Sequence, residues 1–548
     1  MPAAEDRAEW WARRLGATPS VTGSAEEAAF APFLRDLLRD APLFRDRPDD
    51  VWLLPVPGGV HERSCVLALL RGSGPDTVVL TGHFDTVGIE NYGALAPLAL
   101  DPGPLADALL SSLAGGTDAA ARRARDDLSP GAGGEPAPFV PGRGLLDMKA
   151  GLAAALAAME AFAAGSERRG NLLFVAVPDE EANSAGAHAA AAALPAVARE
   201  KGLRLRAAIN LDAIADDGDG RAGRAVTLGT VGKLCPSVLV IGRPVHACYG
   251  YDGVSATALA GAIAAAMEWH PGLAERDAEA RDAEEQGAGP TLLGSRDDRT
   301  RYDVTMPGTA WLYWNVITHR RGAGEVLDTV AETARRAAAS LRGTLRERRA
   351  LSTGIDRPLP PLRVLRFSAL MAELREKRPD AVAILSDRAA ALAATALDLP
   401  EQCRLLSLLA AELLDLQGPA VVVGLASVPY LPTMLEAPAL EAAVRRATGA
   451  VAARHGTGIA VRRRFPAICD MSAFGQADPA ELPVLAAETP AWHGGVPALA
   501  VAGLPCINAG PWGRDYHTRL ERMHREYGFR VLPDLVLELS RALLDAGT

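Results

Sequence analysis

Two hydrophobic periods alternate along this chain. Residues 6–40 follow a helical period in two pieces, broken at Ala17-Thr18-Pro19-Ser20, and the second piece opens on Ser24-Ala25-Glu26-Glu27, a capping-box pattern. Positions 51–55 and 64–70 alternate or run apolar and predict strands. Thr77-Val78-Val79-Leu80-Thr81 is a short continuous apolar run, as expected of a strand buried on both faces. It ends at Gly82-His83-Phe84-Asp85. Runs at 172–177 and 207–211 predict two further buried strands, ending at Pro178-Asp179-Glu180-Glu181 and at Asp212. Helical stretches to about 164 and over 185–201 alternate with them, the signature of a layered α/β domain. His83, Glu181 and Asp212 each follow the C-terminal end of a predicted strand, where open α/β sheets hold their ligands.

The pattern changes after Asp212. Residues 226–246 predict a hairpin or long strand, 252–269 an amphipathic helix, and 271–300 a charged excursion. Two strands broken at Pro307-Gly308 are expected in 302–318, a helix over about 323–347, and a strand over 358–367. This β-α-β-β-α-β order predicts a compact α+β open-faced sandwich inserted into the first domain. Alternation resumes over 368–548, with strands near 420–424, 458–463 and 505–509. The expected domains are therefore 1–222 (catalytic, first part), 223–367 (inserted lid or dimerisation domain) and 368–548 (catalytic, second part). Residues 94–140, rich in Ala, Gly, Pro and Asp, read as an insertion with one or two short helices. It is either a flap between site motifs or a surface excursion.

A chain of 548 residues is too long for one core. A formal charge of −10 argues against nucleic acid or an anionic membrane as the main partner. The six cysteines are scattered with no C-x-x-C pair, which fits a reducing compartment and argues against a zinc–thiolate site. The first 20 residues lack an apolar h-region and no run of 18 apolar residues occurs, so a cytoplasmic protein is expected.

The chemistry centres on Gly142-Arg143-Gly144-Leu145-Leu146-Asp147-Met148-Lys149-Ala150-Gly151. Alone it reads as a helix start with Asp147 as N-cap. A phosphate loop is rejected, because no Gly-Lys-Ser/Thr follows and an acid would repel phosphate. In company with His83, Asp85, Glu180, Glu181, Asp212 and His517, Asp147 becomes a candidate bridge between two divalent ions, which need a shared carboxylate to offset their repulsion. His83 and Asp212 would complete one ion, and Glu181 and His517 the other. Carboxylates and imidazoles without thiols suit zinc, cobalt or manganese. Asp85 is spaced to hydrogen-bond the far imidazole nitrogen of His83, and Glu180, free beside Glu181, is the candidate general base. Each piece has a bland alternative: a lone His-x-Asp is ordinarily no site, and a Glu-Glu pair is often a solvated helix start. Their joint occurrence at strand ends is what argues for chemistry.

These residues resemble the co-catalytic zinc hydrolases: aminoacylases, acetylornithine deacetylase, succinyl-diaminopimelate desuccinylase, dipeptidases and glutamate carboxypeptidases. The resemblance implies a mixed-sheet catalytic domain with helices on both faces plus the inserted lid, and two divalent ions, zinc first among them. Gly242-Arg243-Pro244-Val245-His246-Ala247 is similar to the lid motif whose histidine steadies the oxyanion in the partner subunit's site, which implies His246 acting in trans within a homodimer. A narrower similarity is to the arginine-utilisation, RocB-like branch. It rests on Asn91-Tyr92-Gly93, Asn315-Val316-Ile317-Thr318-His319-Arg320, Pro429-Tyr430-Leu431-Pro432, Asp470-Met471-Ser472 and Gly510-Pro511-Trp512-Gly513-Arg514-Asp515. Asn315 and Arg514 are the substrate-binding candidates it offers. Within the wider family, Asp at the position of Asp212 is commoner in dipeptidases and aminopeptidases. The expected activity is hydrolysis of an amide bond in a small N-acylated amino acid or short peptide, in arginine or other amino-acid catabolism. The rival reading is a non-catalytic relative that binds an amino acid or peptide in the same cleft.

Overall fold

The computed structural model describes residues 4–166, 168–275, 288–395, 397–494 and 500–546. Contacts divide the chain into two units. The first joins Met1–Thr230, Thr433–Ala477 and Leu499–Thr548, and the second joins Val231–Pro432 and Asp478–Ala498.

The first unit is built on an eight-stranded mixed sheet, in the order Val51–Val56, Arg63–Leu70, Arg169–Val177, Ser73–His83, Arg204–Asn210, Cys506–Asn508, Ala225–Thr227, Ala460–Arg462. Ser73–His83 lies parallel to both of its neighbours, so three strands deliver their C-terminal ends to one edge. Alternate residues sort to opposite faces, as the two-residue period of a strand requires. Val66, Val78, Leu80, Leu172 and Phe174 join the core under the helices Ala25–Asp40, Ala150–Ala164 and Leu532–Asp545. Leu67, Val79, Leu173 and Val175 face the helix Ala185–Lys201. The Ala-rich helix Ala150–Ala164 is buried along nearly its whole length; small side chains let it lie flat on the sheet. The capping box forms with a shift: Ser24 Oγ accepts from Glu27 N at 3.2 Å, while the Glu27 carboxylate reaches Gly23 N rather than Ser24 N.

A second, four-stranded sheet sits in the same unit: Phe139–Pro141, Arg522–His524, Trp512–Arg514 and Ile214–Ala215. Its strands flank three of the site segments. Phe139–Pro141 precedes the Asp147 turn, Ile214–Ala215 follows Asp212, and the other two strands bracket His517. The 94–140 insertion contributes the helices Pro102–Leu113 and Ala119–Leu128, which bury Leu105, Leu109 and Leu128 in a small cluster with Tyr92.

The second unit has a six-stranded sheet. Its order is Gly232–Leu234, Thr309–Thr318, Pro236–Ile241, Ala420–Leu425, Arg363–Arg366, with Thr291–Asp297 also paired to Thr309–Thr318. The expected β-α-β-β-α-β order is present, with two differences. The strand pair is Thr291–Asp297 and Thr309–Thr318 rather than two strands inside 302–318; residues 276–287 of the charged excursion lie outside the described residues. The unit also extends past 367. Ala420–Leu425, expected in the catalytic part, pairs with Pro236–Ile241 and Arg363–Arg366 instead, because its all-buried Val-rich face completes that sheet. Among the described residues no helix is long and apolar enough to cross a membrane.

Candidate metal centre

Backbone placement comes first. His83 is the last residue of its strand, Asp212 lies two residues beyond Arg204–Asn210, and Glu181 four beyond Arg169–Val177. Asn508, at the end of the adjacent strand, accepts from Asp212 N and donates to Asp212 O, both at 2.9 Å, which fixes where that segment leaves the sheet. Gly510 follows: a Cβ there would lie 1.9 Å from Asp212 O, so only glycine permits the approach. The Asp147 turn starts at Gly144, whose φ of 70° a side chain would disfavour.

Asp147 is not the helix cap. Its backbone (φ −114°, ψ 97°) belongs to an irregular turn over Leu145–Lys149, and Lys149 stands at the head of Ala150–Ala164 without a side-chain cap. The carboxylate is thereby released to face two imidazoles. Oδ1 lies 3.2 Å from His83 Nε2 and Oδ2 lies 3.1 Å from His517 Nε2. Asp212 Oδ1 is 3.8 Å from the same His83 nitrogen, and Glu181 Oε2 is 3.2 Å from the same His517 nitrogen. His83, Asp147 and Asp212 thus form one group, and Asp147, Glu181 and His517 another, each with ligand atoms within 4.8 Å of one another. Glu180 Oε2 lies 3.8 Å from His83 Nε2.

Burial drives the carboxyls of Glu180, Glu181 and Asp212 above their ordinary range, reinforced by their acidic neighbours. Burial pushes Asp147 the same way, but hydrogen bonds from His517 and His83 outweigh it and hold the acid well below its usual value. Hydrogen bonds to Asp147 and Glu181 push His517 up to about 10. Nearby cations are already committed: Arg63 to Asp179 at 2.5 Å, and Lys149 to the Thr18 carbonyl at 2.7 Å. Glu181 Oε1 is buried without a hydrogen-bond partner. A crowd of buried carboxyl groups, an orphaned carboxylate oxygen and an all-N/O donor set fit a pair of divalent cations.

Asp85 takes a role different from the expected one. The ring nitrogen Nδ1 of His83 lies 3.0 Å from the Asp85 backbone carbonyl and 3.6 Å from its carboxylate. The carboxylate instead accepts from Glu180 N (3.1 Å), Glu181 N (3.2 Å) and Thr22 Oγ1 (2.9 Å), so it holds the turn that presents both glutamates. Arg514 is engaged by both Asp127 oxygens and the Gly218 carbonyl. His246 and Asn315 belong to the second unit. His246 is exposed and its Nδ1 accepts from Cys248 N at 3.2 Å; Asn315 lies in Thr309–Thr318 with its side-chain oxygen buried and unpartnered. Thr22, Asp127, Asn508 and Glu521, whose carboxylate accepts from Gly144 N, are supporting residues that sequence reasoning missed; Thr22 lies two residues before Ser24, Asn508 two before Gly510 and Glu521 four after His517, while Asp127 stands near no singled-out motif.

The profile described as peptidase family M20/M25/M40 matches residues 128–494. The Bacillus subtilis (strain 168) protein YqjN is 29% identical over 545 residues, covering 96% of this chain and 94% of that protein. Protein RocB of the same organism is 28% identical over 585 residues, covering 99% and 95%. Among solved structures, the M20 family metallo-carboxypeptidase Sso-CP2 from Sulfolobus solfataricus shares the fold with a TM-score of 0.52, at 11% identity over 98% of this chain and 99% of that one.

Proposed function

Since the chain belongs to peptidase family M20/M25/M40, and so to the metal-dependent hydrolases of peptide-like bonds, we propose that it cleaves the amide bond of a small amino-acid-derived substrate, an N-acyl amino acid or a short peptide. In this reading His83, Asp147 and Asp212 hold one divalent ion and Asp147, Glu181 and His517 a second, with zinc the first candidate. The observation that carries it is the split of Asp147, whose two oxygens face two separate histidine–acid pairs. Such ions, when bound, polarise the scissile carbonyl and acidify water.

The chain's own residues do the rest. Glu180 receives the water's proton on its carboxylate and returns it to the leaving amine. Asp85 keeps Glu180 and Glu181 in place through their backbone amides. His83 Nδ1 faces the Asp85 carbonyl, which would keep a proton on that nitrogen and leave Nε2 as the atom turned to an ion. By the family resemblance, His246 of one copy steadies the developing oxyanion in a second copy of this chain.

Glu180→Ala should retain two equivalents of metal while hydrolysis of a panel of acylated amino acids and dipeptides falls by about 10²–10⁴-fold. Retained metal with unchanged hydrolysis would remove Glu180 from the chemistry. A metal-loaded native protein inert across the panel would favour the binding-only relative. Mixed Glu180→Ala and His246→Ala subunits should recover activity if His246 acts in trans; no recovery would refute that role.

A further inference from the structure

His517 differs from the other ligands in how it is held. The side chains of His83, Asp147, Asp212 and Glu181 are 2–9% exposed, whereas that of His517 is 44% exposed. It stands on the loop between Trp512–Arg514 and Arg522–His524, with φ at 61°. A half-exposed imidazole on a loop forfeits conformational freedom on ligation unless its backbone is already fixed.

Three residues outside the cluster fix it. Asn91 Nδ2 donates to the His517 carbonyl at 2.7 Å, and Asn91 Oδ1 accepts from Arg143 Nη2 at 3.0 Å. Arg143, 1% exposed, also donates to the Gly88 carbonyl at 3.2 Å and the Thr518 carbonyl at 3.4 Å, and forms a buried ion pair with Glu521. Glu521 returns its other oxygen to Gly144 N at 2.9 Å. Gly144 opens the turn that carries Asp147. One guanidinium therefore joins the His517 loop to the Asp147 turn, and Asn91 is the strap across the His517 carbonyl. A planar five-donor fork can satisfy this many acceptors at fixed angles, which an ammonium cannot.

We propose that Asn91, held by Arg143 and through it by Glu521, is a positioning residue that sets the affinity of the Asp147–Glu181–His517 subsite, while His83 and Asp212 of the other subsite are placed by the sheet. The proposal rests on the two-ion reading above. The test is equilibrium dialysis of the chelated full-length protein against zinc alone, with bound metal counted by elemental analysis.

Native protein should take up two equivalents. Asn91→Ala should keep one at native affinity and weaken the other by about 10–100-fold. Asn91→Asp keeps an acceptor for Arg143 but has no donor for the His517 carbonyl, so it should share the defect. His517→Ala should weaken the same equivalent, and the double variant should bind no more weakly than His517→Ala, because the strap acts only through that loop. The chelated Asn91 variants should melt with the native protein, which a general loss of fold would not allow. Unchanged uptake in Asn91→Ala, equal weakening of both equivalents, or an additive double variant would each overturn the clamp. Fewer than two equivalents on the native protein would overturn the two-ion reading, and the clamp with it.

Discussion

The two halves of the proposed metal centre are made by different means. His83 and Asp212 leave the ends of adjacent parallel strands, so the hydrogen-bond register of the sheet sets their separation. Glu181 and His517 come from a turn and a hairpin loop, and charged side chains set theirs: Asp85 beneath the glutamates, and Asp127, Arg514 and Arg522 at the base of the hairpin. Backbone register cannot drift without breaking a sheet. Ion-pair geometry can, one residue at a time. The lesson is that one half should fail only with the fold, while the other can be tuned.

The largest effect should come from Asp147→Ala, the one residue shared by both halves. Elemental analysis should find both ions lost; unchanged metal content would end the bridge assignment. Next comes the base of the hairpin. Asp127→Ala leaves Arg522, fully buried, without one of its carboxylates and releases Arg514. Breaking a buried pair of this kind should cost about 3 kcal/mol in denaturant unfolding. It should also lower uptake of one ion more than the other; equal loss would deny the division into halves.

A smaller effect should appear with pH in the chelated protein. His517 is raised from its ordinary value to about 10 by its bonds to Asp147 and Glu181. A raised folded-state value gives stability that is complete below about pH 6.5 and lost as pH climbs toward 10. The melting temperature of the metal-free protein should fall across that window, by a few degrees given the exposure of the ring. His517→Ala should flatten the slope; an equal slope in that variant would assign it to other groups. Least of all should Asn315→Ala affect metal uptake, since Asn315 is in neither ligand group; a change in bound zinc would contradict that ligand assignment.

How far the sequence can be read follows the same line. Strand ends are local: an apolar run stops and a polar residue appears, so His83, Glu181 and Asp212 are legible from the sequence as members of one edge. The helix Ala185–Lys201 matches its predicted limits for the same reason. Asp147 stands out in the sequence, yet the cap reading of it fails, because the irregular turn that frees it leaves no mark in hydrophobic periodicity. Arg514 reads as a substrate contact, while its partner Asp127 lies 387 residues away inside an insertion of plain composition. Pairings over such distances produce no local pattern. Ala420–Leu425 is recognisable as a strand but falls to the other sheet, since a buried strand's sequence states that it is covered and not by which neighbours.

The small four-stranded sheet has a consequence for the order in which the protein is made. It joins Phe139–Pro141 and Ile214–Ala215 to a hairpin near the end of the chain. A ribosome adding 5–20 residues per second needs about 15–60 s to cover the roughly 300 residues between Asp212 and His517. Through that interval the growing chain already holds His83, Asp147, Glu181 and Asp212, and its central strand pairing can form, but His517 does not yet exist. In the two-ion reading, hydrolytic competence therefore cannot arise before the C-terminal hairpin that carries His517 has been made.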